Sequence, residues 1–534
     1  MQTNRRIFLK NTGTAIVGAS VCPTIPGISN ITSLSDGQMR QQPWFKPTKE
    51  SLLRYKCPDW FRDAKFGIWA HWGPQCVPMA GGWYARSMYM EGSSDYNHHI
   101  KNYGHPSEFG FKDIIELWKA EKFDAEELMK LFKGAGAKFF IALANHHDNF
   151  DLWNSVHHEW NSVRHGPHKD IVGMFRNAAI KENLRFGVTE HCARSYSWFQ
   201  TNKGADKKGP KAGIPYDGNN PDYQSLYHQP DKDDNSHTPR NPPESWRKEW
   251  LMRTKDLIDS YQPDLLYLDG AIPFYGDDQG KTGMDLISYF YNQNMKWHDG
   301  HPEAVMCTKY IKDHGIRLDG ATTQDVERGR LADISEDPWE CGTSIGPWFY
   351  KEGHAVRPVG DVVKSLIDIV SKNGTMLLNI PQSPDGRISS ESKKFLEEMG
   401  EWMRINGDAL YGTRPWLVYG EGPTNEKMRN LEIAAEHNIR DRDTEFKAGD
   451  IRFASHGDKE LSVFLMGWPQ NGRTFIHSLA KTNKLNPVVE KVEMYGHSGK
   501  LNFVLSNKGL EVELPSQKPC KYAYVLKVSG KNLR

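Results

Sequence analysis

Residues 261–270 read YQPDLLYLDG. After the Gln-Pro break, the run Asp264–Leu268 is apolar apart from its first residue, and it ends on Asp269 and Gly270. A short apolar run between turn residues reads as a buried strand. The strand then delivers a carboxylate into whatever space lies beyond its end. Alone, Asp269 could equally cap the following turn. Working outward, five further runs of the same kind appear: Phe66–Ala70, Phe139–Ala144, Arg185–Thr189, Ala304–Thr308 and Thr375–Ile380. Between several of them lie amphipathic stretches, including Asp124–Gly134, Asp170–Asn183 and Pro243–Tyr261. Run and helix in alternation predict a parallel α/β architecture, and the length suits a (β/α)8 barrel over residues 31–405. A doubly wound sheet is the competitor, but no glycine-rich phosphate turn follows the first run.

Two other stretches depart from this rhythm. Tyr196–Pro242 is polar, rich in Gly, Pro, Asn, Asp and Lys, and without periodicity, which predicts a long insertion near 196–242 that shapes a site or is mobile. After residue 405 short alternating runs separated by turns (Leu461–Leu465, Val488–Met494, Leu501–Leu505, Tyr522–Leu526) predict an all-β sandwich over residues 406–534.

In a β/α barrel chemistry sits beyond the carboxyl ends of the strands. Four runs end in histidine or carboxylate there: His71-Trp72-Gly73, Asn145-His146-His147-Asp148, Glu190-His191 and Asp269-Gly270. Three readings fit the histidines. They bind a metal, for which His71, His146, His147 and His191 supply enough nitrogen, although no HxH or HExxH spacing is present. They hydrogen-bond ligand hydroxyls. Or they are structural. Trp83, Trp339 and Trp348 lie in loop-like contexts, where an indole can stack on the C–H face of a sugar or simply pack.

Composition narrows the partners. The chain has 68 basic and 67 acidic residues, a formal net charge of +1, and a mean hydropathy of −0.67. No bulk field favours nucleic acid or a polybasic membrane contact. Seventeen Trp and 21 His suit a polar ring-shaped ligand. The seven cysteines are scattered without a CxxC pair, so neither a zinc knuckle nor a disulfide framework is indicated. The N-terminus, MQTNRRIFLKNTGTAIVGASVCPTIPG, joins Arg5-Arg6 to a short apolar run and small residues. It predicts a cleaved export signal over residues 1–30, compatible with twin-arginine export to a periplasmic or extracellular location. Val21 is a poor residue before a lipidated cysteine, which argues against Cys22 as an anchor. No other segment reaches the length of a membrane span.

Longer pieces resemble the retaining α-L-fucosidases of glycoside hydrolase family 29. They are WFRDAKFGIWAHWG (60–73), FKGAGAKFFIALANHHDNFDLWNS (132–155), YQPDLLYLDG (261–270), PWECGTSIGPWFY (338–350), SKNGTMLLNIPQSPDG (371–386) and GDALYGTRPW (407–416), in family order. The resemblance implies Asp269 as nucleophile. It implies sugar contacts at His71, His146, His147, Trp83 and Trp348, with His191 beside them at the end of its run. For the general acid/base it offers two positions, Glu327 in GATTQDVERG and Glu340 in PWE, with Glu327 preferred. Two departures stand out. The glutamate of the family's EWY motif is Gly82, and its YYS motif reads Thr189-Glu190-His191. The implied activity is exo-hydrolysis of terminal α-L-fucosyl residues from a fucosylated oligosaccharide or polysaccharide, by double displacement, with no metal or organic cofactor. The competing readings are a metal-dependent hydrolase built on His71, His146, His147 and Asp269, and a non-catalytic carbohydrate-binding barrel.

Overall fold

The apolar runs close into a parallel barrel. The structure, a computed structural model, describes residues 44–231, 237–310, 315–425, 439–440 and 445–534. The leader expected over residues 1–30, with Cys22, lies outside the described residues, as do residues 232–236 of the insertion. The barrel strands are β1 (Phe66–Ala70), β2 (Phe139–Leu143), β3 (Arg185–Glu190), β4 (Leu265–Leu268), β5 (Val305–Lys309), β6 (Thr323–Asp325), β7 (Trp339–Ser344) and β8 (Gly374–Asn379). Each is parallel to its neighbours, and β8 returns to pair with β1. The amphipathic stretches are helices at Ala125–Gly134, Ile171–Lys181 and Glu244–Tyr261. Asp124 and Asp170 cap the first two by accepting backbone N–H bonds that a helix start leaves unmade.

Strand periodicity divides the side chains in two. Phe66, Ile68 and Ala70 of β1, Phe140 and Ala142 of β2, and Leu266 and Leu268 of β4 join the large core shared with the helices. Trp69, Phe139, Ile141, Leu265, Tyr267, Val305, Cys307 and Leu377 form a separate cluster inside the barrel. Full burial of such a side chain stabilises by about 1.5–3 kcal/mol. Gly67 keeps β1 against β2, since a Cβ there would lie 2.3 Å from the Phe139 ring. This inward parity matters for function. Continued by one step past the strand ends it reaches His71 from Trp69 and Asp269 from Tyr267.

The polar insertion is more ordered in composition than its sequence suggests. Short 3-10 turns at Phe199–Lys203, Asp217–Asn219 and Pro221–Tyr223 carry it. Two of its carboxylates are buried among phenols: Tyr216 donates to Asp206 at 2.6 Å, and Tyr89 and Tyr227 donate to Asp217 at 2.7 and 2.5 Å. The residues that read as loop formers are therefore ties to the barrel.

The last part of the chain forms antiparallel sheets. One orders strands Gly420–Glu421, Ile451–His456, Glu460–Leu465, Tyr524–Lys531 and Val488–Met494; another orders Arg473–Ile476, Gly509–Glu513 and Phe503–Ser506. Phe453, Val463, Leu526, Ile476, Leu510 and Val512 share one core between them. A buried ion cluster joins these sheets to the barrel. Asp368 accepts from Arg452 Nε at 2.5 Å, Lys372 Nζ at 3.1 Å and Arg330 at 3.2 Å. Burial alone would raise the Asp368 carboxyl, but Lys372, Arg452 and Arg330 outweigh it and hold it well below the usual carboxylate range. Arg330 belongs to a two-residue strand, Gly329–Arg330, that pairs antiparallel with Ile439–Arg440. Among the described residues no helix is long and apolar enough to cross a membrane.

Candidate functional site

Asp269 follows β4 and is the meeting point of four elements. Its Oδ2 lies 3.1 Å from His147 Nε2, 3.4 Å from His191 Nδ1 and 3.1 Å from Arg194. Its Oδ1 accepts from Lys309 Nζ. Burial would raise this carboxyl, but Lys309, His191 and His147 outweigh it and hold it well below the usual carboxylate range. Asp269 is therefore an ionised, nearly buried oxygen nucleophile or base.

Lys309 connects it to a second carboxyl group. The same Nζ donates to Glu327 Oε2 at 2.6 Å. One ammonium thus stands between Asp269 and Glu327, so the facing oxygens are at most two hydrogen-bond lengths apart. Retaining glycosidases hold their carboxyl groups roughly 5–5.5 Å apart. The Glu327 side chain is 34% exposed, at the mouth of the pocket. Trp348 Nε1 donates to its Oε1 at 3.0 Å, and Arg328 lies over the Trp348 ring.

Glu340 occupies a different place. It is the second residue of β7, paired in register with Asp325 of β6, and wholly buried inside the barrel. Burial first, and Asp325 next, push its carboxyl well above the usual range. Asp325 is itself pushed up to about 6, chiefly by burial. No described contact brings Glu340 to the ammonium that Asp269 and Glu327 share.

The histidines do converge. His71, His146, His147 and His191 are each at most 5% exposed. The Asn379 side chain fixes the turn after β1 by accepting from the His71 backbone N–H at 2.9 Å. His147 donates Nδ1–H to the His191 carbonyl at 2.7 Å, which aims its other nitrogen at Asp269. Gln75 Nε2 lies 2.9 Å from His146 Nδ1. Aromatic rings wall the space. Trp348 and Phe349 approach His71, at 5.5 and 4.8 Å between ring centroids, and Trp83 stands edge-on to His147 at 6.2 Å. Trp339 faces away from this pocket and packs in the shared core. At Gly82 an added Cβ would meet only Phe349, at 3.6 Å, so steric crowding does not explain the missing glutamate. Of Thr189-Glu190-His191, Glu190 is buried on the outward parity of β3, where Oε1 accepts from the Cys192 N–H at 2.6 Å. His158 is a buried tie to the Asn149 carbonyl.

Sequence reasoning missed Lys309, Arg194 and Phe349. The signal for Lys309 was present: it follows the run Ala304–Thr308, as Asp269 follows its own. Arg194 lies at the start of an aperiodic stretch, where nothing in the residue pattern marks it.

Paired carboxyl groups at the carboxyl end of a barrel, among buried imidazoles and aromatic walls, define a glycoside hydrolase of the β/α-barrel class. The comparisons carry the assignment further. The family model for alpha-L-fucosidase matches residues 32–408, and that for the alpha-L-fucosidase C-terminal domain matches residues 444–529. The human tissue and plasma alpha-L-fucosidases are each 27% identical to the chain, over 91% of its length and 92% of theirs. The Thermotoga maritima alpha-fucosidase solved with fucose superposes with a TM-score of 0.67 at 27% identity, covering 91% of this chain and 100% of that one. The chain belongs to the α-L-fucosidase family, glycoside hydrolase family 29.

Proposed function

We propose that this enzyme is an exo-acting, retaining α-L-fucosidase in which Asp269 is the nucleophile and Glu327 the general acid/base. The observation that carries the reading is the Lys309 ammonium shared by these two carboxyl groups. Asp269 attacks the anomeric carbon, the bond to the departing oxygen breaks, and Glu327 gives that oxygen its proton. Asp269 thereby loses its charge as an ester while Glu327 gains one. A cation placed between them faces the single negative charge as it passes from Asp269 to Glu327, and stabilises most the transition state in which both groups share that charge. Water then attacks the ester from the vacated face, Glu327 takes its proton, and Asp269 regains its charge. His71, His146, His147 and His191 hold ring hydroxyls, Trp83 and Trp348 face the sugar, and the apolar wall accepts its 6-methyl group.

The substrate class follows from the relatives: the fucose complex of the Thermotoga maritima protein supports a terminal fucosyl group of an oligosaccharide or polysaccharide as the glycone. Export of the enzyme through a leader at residues 1–30, with residues 31–405 as catalytic barrel and 406–534 as sandwich, completes the reading; the Arg5-Arg6 run supports it. Proton NMR of early hydrolysis of an aryl α-L-fucoside tests the mechanism. The α anomer of free fucose should appear first; β-fucose as the first product would exclude the double displacement.

Lys309 gives a separate prediction. Lys309→Met should lower kcat/KM by about 10²–10³-fold, the scale of losing one preorganised charge partner. Because Lys309 lowers the Asp269 proton affinity, its loss must raise that affinity. The acid limb of the kcat/KM profile should therefore move to higher pH. An unmoved acid limb would mean that the ammonium does not act on Asp269.

A further inference from the structure

Three imidazoles on the pocket floor form a nearly equilateral triangle. Ring centroids are 5.1 Å apart for His71–His146, 5.1 Å for His71–His191 and 5.0 Å for His146–His191. One nitrogen from each ring can be chosen so that all three lie within 4.8 Å of one another. All three rings are buried. Among the described residues, His71 Nδ1 and His191 Nε2 have no hydrogen-bond partner, while His191 Nδ1 faces Asp269 at 3.4 Å. A buried polar atom left in that state waits for a ligand to satisfy it.

We propose that His71, His146 and His191 form a site for one divalent transition-metal ion, zinc in the first place, and that the ion excludes the sugar from the pocket. Zinc takes imidazole nitrogens at about 2.0–2.1 Å in tetrahedral sets, so a modest inward movement of the rings completes a three-histidine site with its fourth position open. Metal ligation needs neutral imidazole. Burial, then neighbouring imidazoles, keep His71 and His146 neutral; burial lowers His191 against the pull of Asp269. One supporting contact of the usual kind is in place, the Asp269 carboxylate 3.4 Å from His191 Nδ1; Gln75 Nε2, an amide donor 2.9 Å from His146 Nδ1, must turn its oxygen to that nitrogen for His146 Nε2 to take the ion. Lys309 and Arg194 oppose a cation here, but both are engaged with Asp269. The site depends on His191, which directly follows the strand Arg185–Glu190. The ion is an inhibitor in this scheme. The inhibitory consequence rests on the proposed function, while the metal binding does not.

The test uses the full chain, freed of metal by a chelator, and Co²⁺ and Zn²⁺ as probes. One Co²⁺ per chain should bind with the intense visible d–d bands of a four-coordinate site, and Zn²⁺ should displace it. His191→Ser should abolish those bands while circular dichroism shows a folded chain. Saturating L-fucose should weaken apparent Zn²⁺ affinity at least tenfold by competition. Absence of stoichiometric binding, or bands that persist in His191→Ser, would overturn the site. Should the His191-dependent bands appear but chelated enzyme be inactive and Zn²⁺ restore hydrolysis, the inhibitory role fails together with the two-carboxylate mechanism. Bands that appear but ignore fucose leave the metal site standing and overturn the exclusion of the sugar by the ion.

Discussion

Asp269→Gly lowers turnover of 4-nitrophenyl α-L-fucoside by about 10⁴-fold or more, the scale expected when a nucleophile is removed. The physical basis is the cluster around Asp269, in which Lys309, His191, His147 and Arg194 hold an ionised oxygen at the end of β4. Glycine vacates the space that the carboxylate filled. Added azide can then attack the anomeric carbon from that same face, opposite the departing nitrophenolate. The product has inverted configuration, β-L-fucosyl azide, and its formation restores nitrophenol release. Circular dichroism checks that the remaining Lys309 and Arg194 cations do not unfold the variant, since removing one partner of a buried ion cluster is costly. Hydrolysis within tenfold of the parent enzyme, in a folded variant, removes Asp269 from the nucleophile role.

Most of the barrel was legible because most of its strands are continuous apolar runs, the usual composition of a parallel strand buried on both faces. Run and strand differ by at most one residue at either end for Phe66–Ala70, Asp264–Leu268, Ala304–Thr308 and Thr375–Ile380. The strands Thr323–Asp325 and Trp339–Ser344 were not legible as runs. Their inward positions carry Asp325 and Glu340, so apolar patterning fails where the barrel interior is itself ionisable. The site was legible to the extent that it obeys strand parity. His71, His191, Asp269, Lys309 and Glu327 each lie two residues beyond an inward strand position: Trp69, Thr189, Tyr267, Cys307 and Asp325. Reading only the first four runs to their ends found three of these residues and left Lys309 unmarked. Arg194 and the phenol-bound carboxylates of the insertion depend on tertiary contacts that no local period encodes.

The same parity separates the two glutamates that sequence motifs leave in competition. Glu327 lies one inward step past Asp325, at the mouth, whereas Glu340 lies level with Asp325 in the closed interior. Glu327→Ala should reduce hydrolysis of a natural fucoside, whose leaving group needs a proton, by about 10²–10⁴-fold. An activated aryl fucoside should still form the ester quickly and then stall, giving a burst of nitrophenol followed by slow turnover. Azide needs no general base, so it should relieve the stall. Attacking an ester that Asp269 has already formed, it gives α-L-fucosyl azide, the opposite configuration from the Asp269→Gly product. Glu340→Gln should leave kcat/KM within about threefold, because a carboxyl held neutral by burial and by Asp325 is replaced by a neutral group of the same shape. Loss of activity in Glu340→Gln with the nitrophenol burst in that variant, and no change in Glu327→Ala, would transfer the proton-donor role to the interior. The azide products make the distinction independent of rate. Two variants that act on opposite faces of one sugar must give two anomers, and a merely structural residue gives neither.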